Sequence, residues 1–533
     1  MEKPQTGPVT VVVIAYNDAE HLPDAVRSAL DQGDAVGEVV VVDDCSTDGT
    51  AAVLAELAAA DPRVTPIVRQ TNSGGCGTPR NDGAAAASTP YLMFLDSDDV
   101  LPPGAVDALL PLAEKHRADV TAGRCVRREL PGGRETGWAP QLYDPAAGAT
   151  LPGSVLTGIK DHPEVLWDTL SVNKLYRTSF LRDHALAFPD GAFHYEDFVF
   201  TARLYAARPR LVYTDALVYV WHVRRQAGRL SISLRRADLS NWRHRIAAHR
   251  GVVDTLRDAG EYDLAEAAQA KFLDYDLPMY VRELPQRPPQ YVADWWRVTR
   301  DYVGGFDREG VALAAVPSRW AARALTAPGA DQPEPGAAGL GRLVELAARP
   351  PRLIPPYGNV APPELDELDT DKLPVTVDAR VQAGASTRVA LRVHDLYGRL
   401  ATLHPVAITL EVTERGAAGP AVTMETPLIS DGDGWTGELR LRTADLARGG
   451  LLAVWHLRAE IRYAGTELRT KAEVRAADGQ EAKRGAVLSA PGRVLLVQTH
   501  ITGGRALILR VADGVQGARR VVGGRIGRLL GRA

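Results

Sequence analysis

Two runs of β-branched residues limit this chain more than anything else in it. "VTVVVIAY" (residues 9–16) is β-branched or apolar throughout, and "GEVVVVDD" (37–44) carries four consecutive valines before its closing aspartates. A strand of that kind must be buried on both faces, as in a parallel sheet covered by helices. The residues around them agree. "NDAEHLPDAVRSALDQ" sets Leu22, Ala25, Val26, Ala29 and Leu30 along one helical face, with Asn17 or Asp18 as its cap. "STDGTAAVLAELAAA" reads as a second capped helix, "VTPIVRQ" as a third strand and "YLMFLD" as a fourth. Strand and helix alternate to about residue 110, which predicts an α/β sheet with parallel strands.

Ligands of open α/β sheets bind beyond the carboxyl ends of the strands. Here those ends carry Tyr16 and Asn17, Asp43 and Asp44, Asn72, and Asp96 with Asp98. A solvated acidic turn accounts for one such cluster, not for four on one edge. No G-x-G-x-x-G follows the first strand, so a dinucleotide fingerprint is absent. In "DSDD", Asp96, Asp98 and Asp99 repel one another unless a cation or hydrogen-bond donors offset the charge.

At 533 residues the chain has room for two to four domains. A net charge of −4 gives no reason to expect a nucleic-acid partner. Three cysteines, Cys45, Cys76 and Cys125, make no disulfide framework and have no metal-type spacing, which fits a reducing cytoplasm. The first residues lack a signal peptide's basic start and cleavage site, and no apolar run reaches 18 residues. The expectation is a soluble protein, cytoplasmic or peripheral at the inner face of the membrane. Residues 150–235 mix helix, loop and strand signals. Residues 236–326 carry helical periodicity, and 327–370 read as a Pro-rich linker. From 371 to 510, alternating runs such as "TRVALRVHD" and "PVAITLEVTE" predict an all-β, sandwich-like domain. Residues 511–533 form a basic tail whose arginines and interleaved apolar residues suit an anionic surface, against six glycines that weaken a helix.

Five motifs occur in order: "VVVIAYN", "VVVDDCSTDGT", "NSGGCGTPRNDGAAAASTPYLMFLDSDD", "NKLYRTSFL" and "FHYEDFVF". Together they resemble the family 2 glycosyltransferases, which have the GT-A fold, over about residues 9–235. The whole-chain plan looks like the poly(ribitol-phosphate) β-N-acetylglucosaminyltransferases of wall teichoic acid. The resemblance implies an inverting, metal-dependent transfer of a sugar, GlcNAc in that subfamily, from a UDP-sugar to a glycopolymer. It also implies a homotrimer built through the β domain.

The same resemblance implies roles residue by residue. Asp98 would ligate Mn²⁺ or Mg²⁺, with His222 as a further ligand. Asp96 and Ser97 would face the donor's ribose or sugar. Asp43 and Asp44 would hold uracil and ribose, with the base reader left open between them and a helix cap near Ser46 as the alternative for one. Ala15, where many relatives have proline, and Tyr16 would pack on the base, and Asn72 belongs to the same set. Arg80 would contact the nucleotide, with Pro79 in place of the usual alanine. Asp197 would be the general base and Glu196 its neighbour. Arg224, with Arg225, Arg229 and Ser231 beyond it, would close over the diphosphate. Two other readings share these residues: an exopolysaccharide or lipid-linked oligosaccharide transferase, and a non-catalytic glycan-binding scaffold.

Overall fold

The computed structural model describes residues 7–224, 235–326, 337–347 and 368–513, apart from 374, 396–397, 416, 418, 433, 448–451, 478, 481–483, 491–492 and 502–505. Arg225, Arg229, Ser231, most of the Pro-rich stretch and the tail from 514 lie outside the described residues. The chain divides into two compact units, residues 1–272 with 305–313, and residues 273–304 with 314–533.

The first unit holds β1 (Val9–Ala15), α1 (Leu22–Leu30), β2 (Val36–Asp43), α2 (Thr50–Ala60), β3 (Val64–Val68), α3 (Gly77–Ala86), β4 (Tyr91–Asp96) and α4 (Ala105–His116). They are followed by β5 (Val120–Glu129), β6 (Arg134–Gly137), α5 (Pro140–Tyr143), β7 (Val155–Thr157), β8 (Lys174–Arg177), α6 (Thr178–Asp183), α7 (Glu196–Ala206) and β9 (Arg210–Val223). Two helices, α8 (Leu239–Asp258) and α9 (Tyr262–Lys271), complete its main body. The strands make one mixed sheet in the order β3-β2-β1-β4-β8-β5-β9-β7, with β6 beside β5. β1, β2, β3 and β4 are mutually parallel. Every residue of β1 is buried, as a parallel strand between two helix layers requires.

Register brings the strand ends level. Ala15 pairs with Asp43 and Ile14 with Asp96. α3 lies close against this sheet because Gly83 has no side chain, and a Cβ there would sit 2.2 Å from Val12 Cγ1. The polar face of α3 then holds a distant loop. Asn81 Nδ2 donates to Phe188 O (3.0 Å), and Phe188 N donates to Asn81 Oδ1 (2.8 Å). Phe188 stacks on Phe200 of α7 at 4.0 Å and meets Phe94 of β4 edge-on at 5.2 Å. This aromatic cluster sets the first turn of α7 beside the end of β4. Neither Asn17 nor Asp18 caps α1, which starts after His21 without a side-chain cap. Asn17 Oδ1 accepts from Thr47 N (2.7 Å) and Asp18 Oδ2 from Ser97 Oγ (2.7 Å), so both side chains are drawn to neighbouring strand ends instead.

The second unit contains α10 (Leu277–Val281), α11 (Pro289–Val303), α13 (Val316–Thr326) and α14 (Ala337–Leu346), while α12 (Arg308–Leu313) belongs to the first. It continues with β10 (Val377–Gln382), β11 (Ser386–His394), β12 (Pro405–Glu414), β13 (Val422–Pro427), β14 (Ile429–Ser430) and β15 (Gly434–Arg442). The last strands are β16 (Leu452–Tyr463), β17 (Arg469–Ala476), β18 (Arg484–Ala490), β19 (Arg493–Ile501) and β20 (Leu507–Asp513). This is the strand-rich domain that the alternating runs predict. β12 buries Ile408, Leu410 and Val412, and Trp455 of β16 is buried with its Nε1 donating to Leu446 O (3.0 Å). No helix among the described residues is long and apolar enough to cross a membrane.

Candidate active site

The two aspartates at the end of β2 are not equivalent. Asp44 is saturated: it accepts from Asn72 Nδ2 (2.9 Å), Ser73 N (3.1 Å) and Ser73 Oγ (2.8 Å), and pairs with Arg69 Nε (2.9 Å). Its work is to tie down the loop after β3. Asn72 is part of that tie. Asp43 accepts from Ser46 N (3.1 Å) and Ser46 Oγ through Oδ1 alone. Its Oδ2 is buried without a partner. An orphaned carboxylate oxygen is costly unless a ligand supplies the donor. Tyr16 is exposed beside it, following Ala15 at the end of β1.

The three carboxylates of "DSDD" have three different environments. Asp99 is buried, accepting from Tyr219 OH (2.7 Å) and from His222 N (2.7 Å). It fixes the end of β9, and burial followed by Asp98 and Asp96 pushes its carboxyl well up. Asp98 keeps a partly exposed side chain. Burial, then Asp96, raises its pKa to about 6 against the pull of Arg224. Arg224 Nη1 donates to Asp98 O (2.8 Å) and lies 3.2 Å from Asp98 Oδ2, while His222 Nδ1 lies 3.1 Å from Asp98 O. Burial lowers the His222 pKa, the carbonyl of Asp98 opposes it, and Arg224, Arg128 and His21 reinforce it. These shifts favour the neutral imidazole, the form that can ligate a metal. Ser97 is buried and turned to Asp18.

Asp96 is joined to the other side of the site by one arginine. Arg80 of α3, 3% exposed, reaches Asp96 Oδ1 (2.7 Å), Glu196 Oε1 (2.5 Å) and Asp197 Oδ1 (3.4 Å). Its guanidinium is enclosed by carboxylates, so its link to a donor would run through Asp96. Glu196 and Asp197 form the first turn of α7, after Tyr195 in the left-handed region (φ 63°). Burial raises both carboxyls, and Arg80 pulls both back. Cys76 adjoins this cluster, and burial together with Glu196 pushes its thiol well up, so it is not a nucleophile.

The structure thus gathers Asp96, Asp98, His222 and Arg224 on one side and Glu196 and Asp197 on the other, with Arg80 between. Ala15, Tyr16, Asp43, Asp44 and Asn72 flank them at the ends of β1 to β3. Sequence reasoning missed Tyr219, Asp18, Arg69, Asn81 and Ser171. Tyr219 reads as an ordinary core residue in "ALVYVWHV", and nothing in "TLSVNK" marks its serine.

The model of glycosyl transferase family 2 matches residues 10–159. The succinoglycan biosynthesis protein ExoO of Rhizobium meliloti is 33% identical over 219 residues, 40% of this chain and 61% of that protein. The poly(ribitol-phosphate) beta-glucosyltransferase of Bacillus spizizenii is 27% identical over 42% of this chain and 34% of its own length. The poly(ribitol-phosphate) beta-N-acetylglucosaminyltransferase TarS of Staphylococcus aureus is 28% identical over 42% of this chain and 36% of its own. The chain spans between about a third and three-fifths of the length of these curated relatives. In fold, the crystal structure of S. aureus TarS aligns with 95% of this chain and 85% of that one, with a TM-score of 0.50 at 17% identity. TarS 1–349 in complex with UDP-GlcNAc aligns with 64% of this chain and 90% of that one, with a TM-score of 0.50 at 20% identity. Residues 10–159 thus match glycosyl transferase family 2, and the fold resembles that of S. aureus TarS.

Proposed function

We propose that the protein is an inverting glycosyltransferase that moves a sugar, GlcNAc before others, from a UDP-sugar to a wall polymer of the polyol-phosphate kind. The observation that carries this reading is the pair of facing groups, Asp98 with His222 and Asp197 with Glu196, bridged through Arg80 and Asp96. The ribitol-phosphate transferases among the relatives support the acceptor class. The likeness to ExoO favours an exopolysaccharide acceptor as the second reading. UDP release measured with UDP-GlcNAc and UDP-glucose against poly(ribitol phosphate) and an exopolysaccharide fragment separates the two. The strand-rich domain, which contributes none of the candidate site residues, is the part proposed to build a homo-oligomer, a trimer before others. Light scattering on the full-length chain and on residues 1–345 tests it, and equal monomeric masses would end it.

The residues fit a divalent cation. Among the described residues no cluster of three or more His, Cys, Asp or Glu forms a cage, so Asp98 and His222 would share the ion with the donor's own phosphates. The half-exposed Asp98 carboxylate and the His222 imidazole offer a mixed oxygen and nitrogen set of the kind that Mn²⁺ or Mg²⁺ accepts. Such an ion supplies positive charge to the departing diphosphate. Asp197 takes the proton of the acceptor hydroxyl. The hydroxyl oxygen bonds the anomeric carbon on the face opposite the diphosphate, which leaves with the electron pair of its C–O bond. Asp98→Asn is expected to keep the fold and abolish metal-dependent UDP release. Full turnover in EDTA would overturn the metal assignment.

Asp43 reads the base in this scheme, its free Oδ2 accepting the N3–H of uracil. In Asp43→Asn, Ser46 N still needs an acceptor, so the amide oxygen stays at the Oδ1 position and the NH₂ group meets uracil N3–H. A lost hydrogen bond to a charged group is worth about 1.5–3 kcal/mol, so UDP affinity should fall about 10–100-fold. CDP, whose N3 accepts, should lose less. Asp44→Asn should instead lower stability, with UDP affinity little changed. Calorimetry with both nucleotides decides, and the opposite assignment follows if Asp44→Asn is the variant that loses UDP.

A further inference from the structure

The loop between Trp167 and Lys174 has no assigned role, yet it ends on the base. Ser171 is fully buried, and its Oγ donates to Asp197 Oδ1 at 2.6 Å. The second donor to that carboxylate, Arg80 Nη1, reaches the same oxygen at 3.4 Å. Both donors converge on Oδ1, and Oδ2 has no hydrogen bond with a described residue. The Asp197 side chain remains 19% exposed.

Ser171 is held from its backbone as well. Its carbonyl accepts from Tyr176 OH at 2.7 Å. The loop is closed by an ion pair between its two ends, Lys174 Nζ to Asp168 Oδ2 at 2.6 Å, with both side chains at 0% exposure. The same Nζ donates to Leu170 O at 2.5 Å. Tyr205 of α7 donates to Asp168 O at 3.0 Å, so the loop and the helix bearing Asp197 are fastened to each other. Burying a charge pair costs desolvation energy that its own attraction barely repays, so such a pair is kept where it holds something in place, and a loop that ends on one carboxylate oxygen is such a thing.

We propose that Ser171 is the positioning residue for the general base: its hydroxyl anchors Oδ1 so that Oδ2 faces the acceptor, and the Asp168–Lys174 pair holds Ser171 at that point. The proposal rests on the reading of Asp197 as the base. The donor hydrogen bond also favours the ionised carboxylate, as Arg80 and Lys174 do, against burial and the charges of Asp96 and Glu196. Cys76 and Tyr176 also face Asp197, and both are kept protonated by burial.

Ser171→Ala removes the donor and keeps the volume nearly unchanged. UDP release from UDP-GlcNAc with Mn²⁺ and poly(ribitol phosphate) should show kcat reduced about 10-fold, the loss expected of one hydrogen bond to a charged group. The KM for the donor should stay within about twofold, because the hydroxyl is not a nucleotide contact. The acid limb of the pH profile should move up by about one unit, because the carboxylate loses a donor and protonates more readily. Ser171→Thr, which keeps the hydroxyl, should restore the limb. An unmoved acid limb with native kcat, or a fall in donor affinity that matches the fall in kcat, overturns the proposal. A second measurement needs no acceptor. In full-length protein carrying ¹³C-carboxyl aspartate, the Asp197 signal, identified by its absence in Asp197→Asn, should titrate at a higher pH in Ser171→Ala. An identical titration in the two proteins also overturns the proposal. If Asp197→Ala keeps its transfer activity, the base assignment itself has failed, and the carboxyl titration still reports whether Ser171 governs Asp197.

Discussion

Asp197→Ala should lose transfer by about 10²–10⁴-fold, the usual contribution of a general base, while UDP binds as before. The basis is the division of labour between two adjacent carboxylates. Glu196 is nearly enclosed, its side chain 9% exposed, and its Oε1 is bound to Arg80 at 2.5 Å. Asp197 is twice as exposed and is held through one oxygen only. A base works best when its pKa approaches the working pH. Burial raises Asp197 from the ordinary carboxylate range, and Arg80 and Ser171 pull it back. Because the side chain lies across Arg80 from Asp96, its truncation leaves the nucleotide end untouched. UDP release with and without acceptor, alongside UDP calorimetry, checks this. Near-native transfer by Asp197→Ala at saturating acceptor would give the role to another residue.

The half of the site carried by the parallel strands was legible in the sequence. β1, β2 and β4 carry long apolar runs with polar residues at or just after their ends, and parallel register alone brings such ends level. What was not legible depends on contacts far apart in the chain. Arg80 and Glu196 are 116 residues apart, and nothing local in "PRNDG" says that its arginine will be enclosed by carboxylates. The same holds for "DSDD". Three aspartates look alike in one turn, but Tyr219 and the amide of His222 take Asp99 into the core and leave Asp98 at the surface. Asp43 and Asp44 could not be told apart because the difference lies in Asn72, Ser73 and Arg69, which reach Asp44 from another loop. Ser171 had no signal at all. A serine in an apolar stretch is the common case, and only the packing of the loop against α7 gives this one a partner.

Arg80→Met should destabilise the protein by about 3–5 kcal/mol at neutral pH and more at pH 8 than at pH 5, because a buried charge cluster loses its counter-ion. Asp96, Glu196 and Asp197 would then face one another across the space that the guanidinium fills. The expected figure lies towards the lower end, since Asp96 is 34% exposed and water screens it in part. The pH dependence follows from the direction of the shifts. In the native protein burial already lifts this pair of carboxyls, Glu196 to about 7, with Arg80 pulling them down. Without Arg80 they rise further. A carboxyl whose folded pKa lies above its unfolded value binds protons on folding, so the stability it contributes is present at low pH and lost as pH climbs through the folded value. Between pH 5 and pH 8 the variant should therefore fall away from the native protein, with most of the divergence above pH 6. Arg80→Lys should recover only part of the loss, because one ammonium cannot reach three carboxylates as a planar guanidinium does. Urea midpoints at pH 5, 6.5 and 8 measure the effect. A deficit that is constant across that range, or smallest at pH 8, would show that Arg80 acts by packing rather than as the counter-ion of the site.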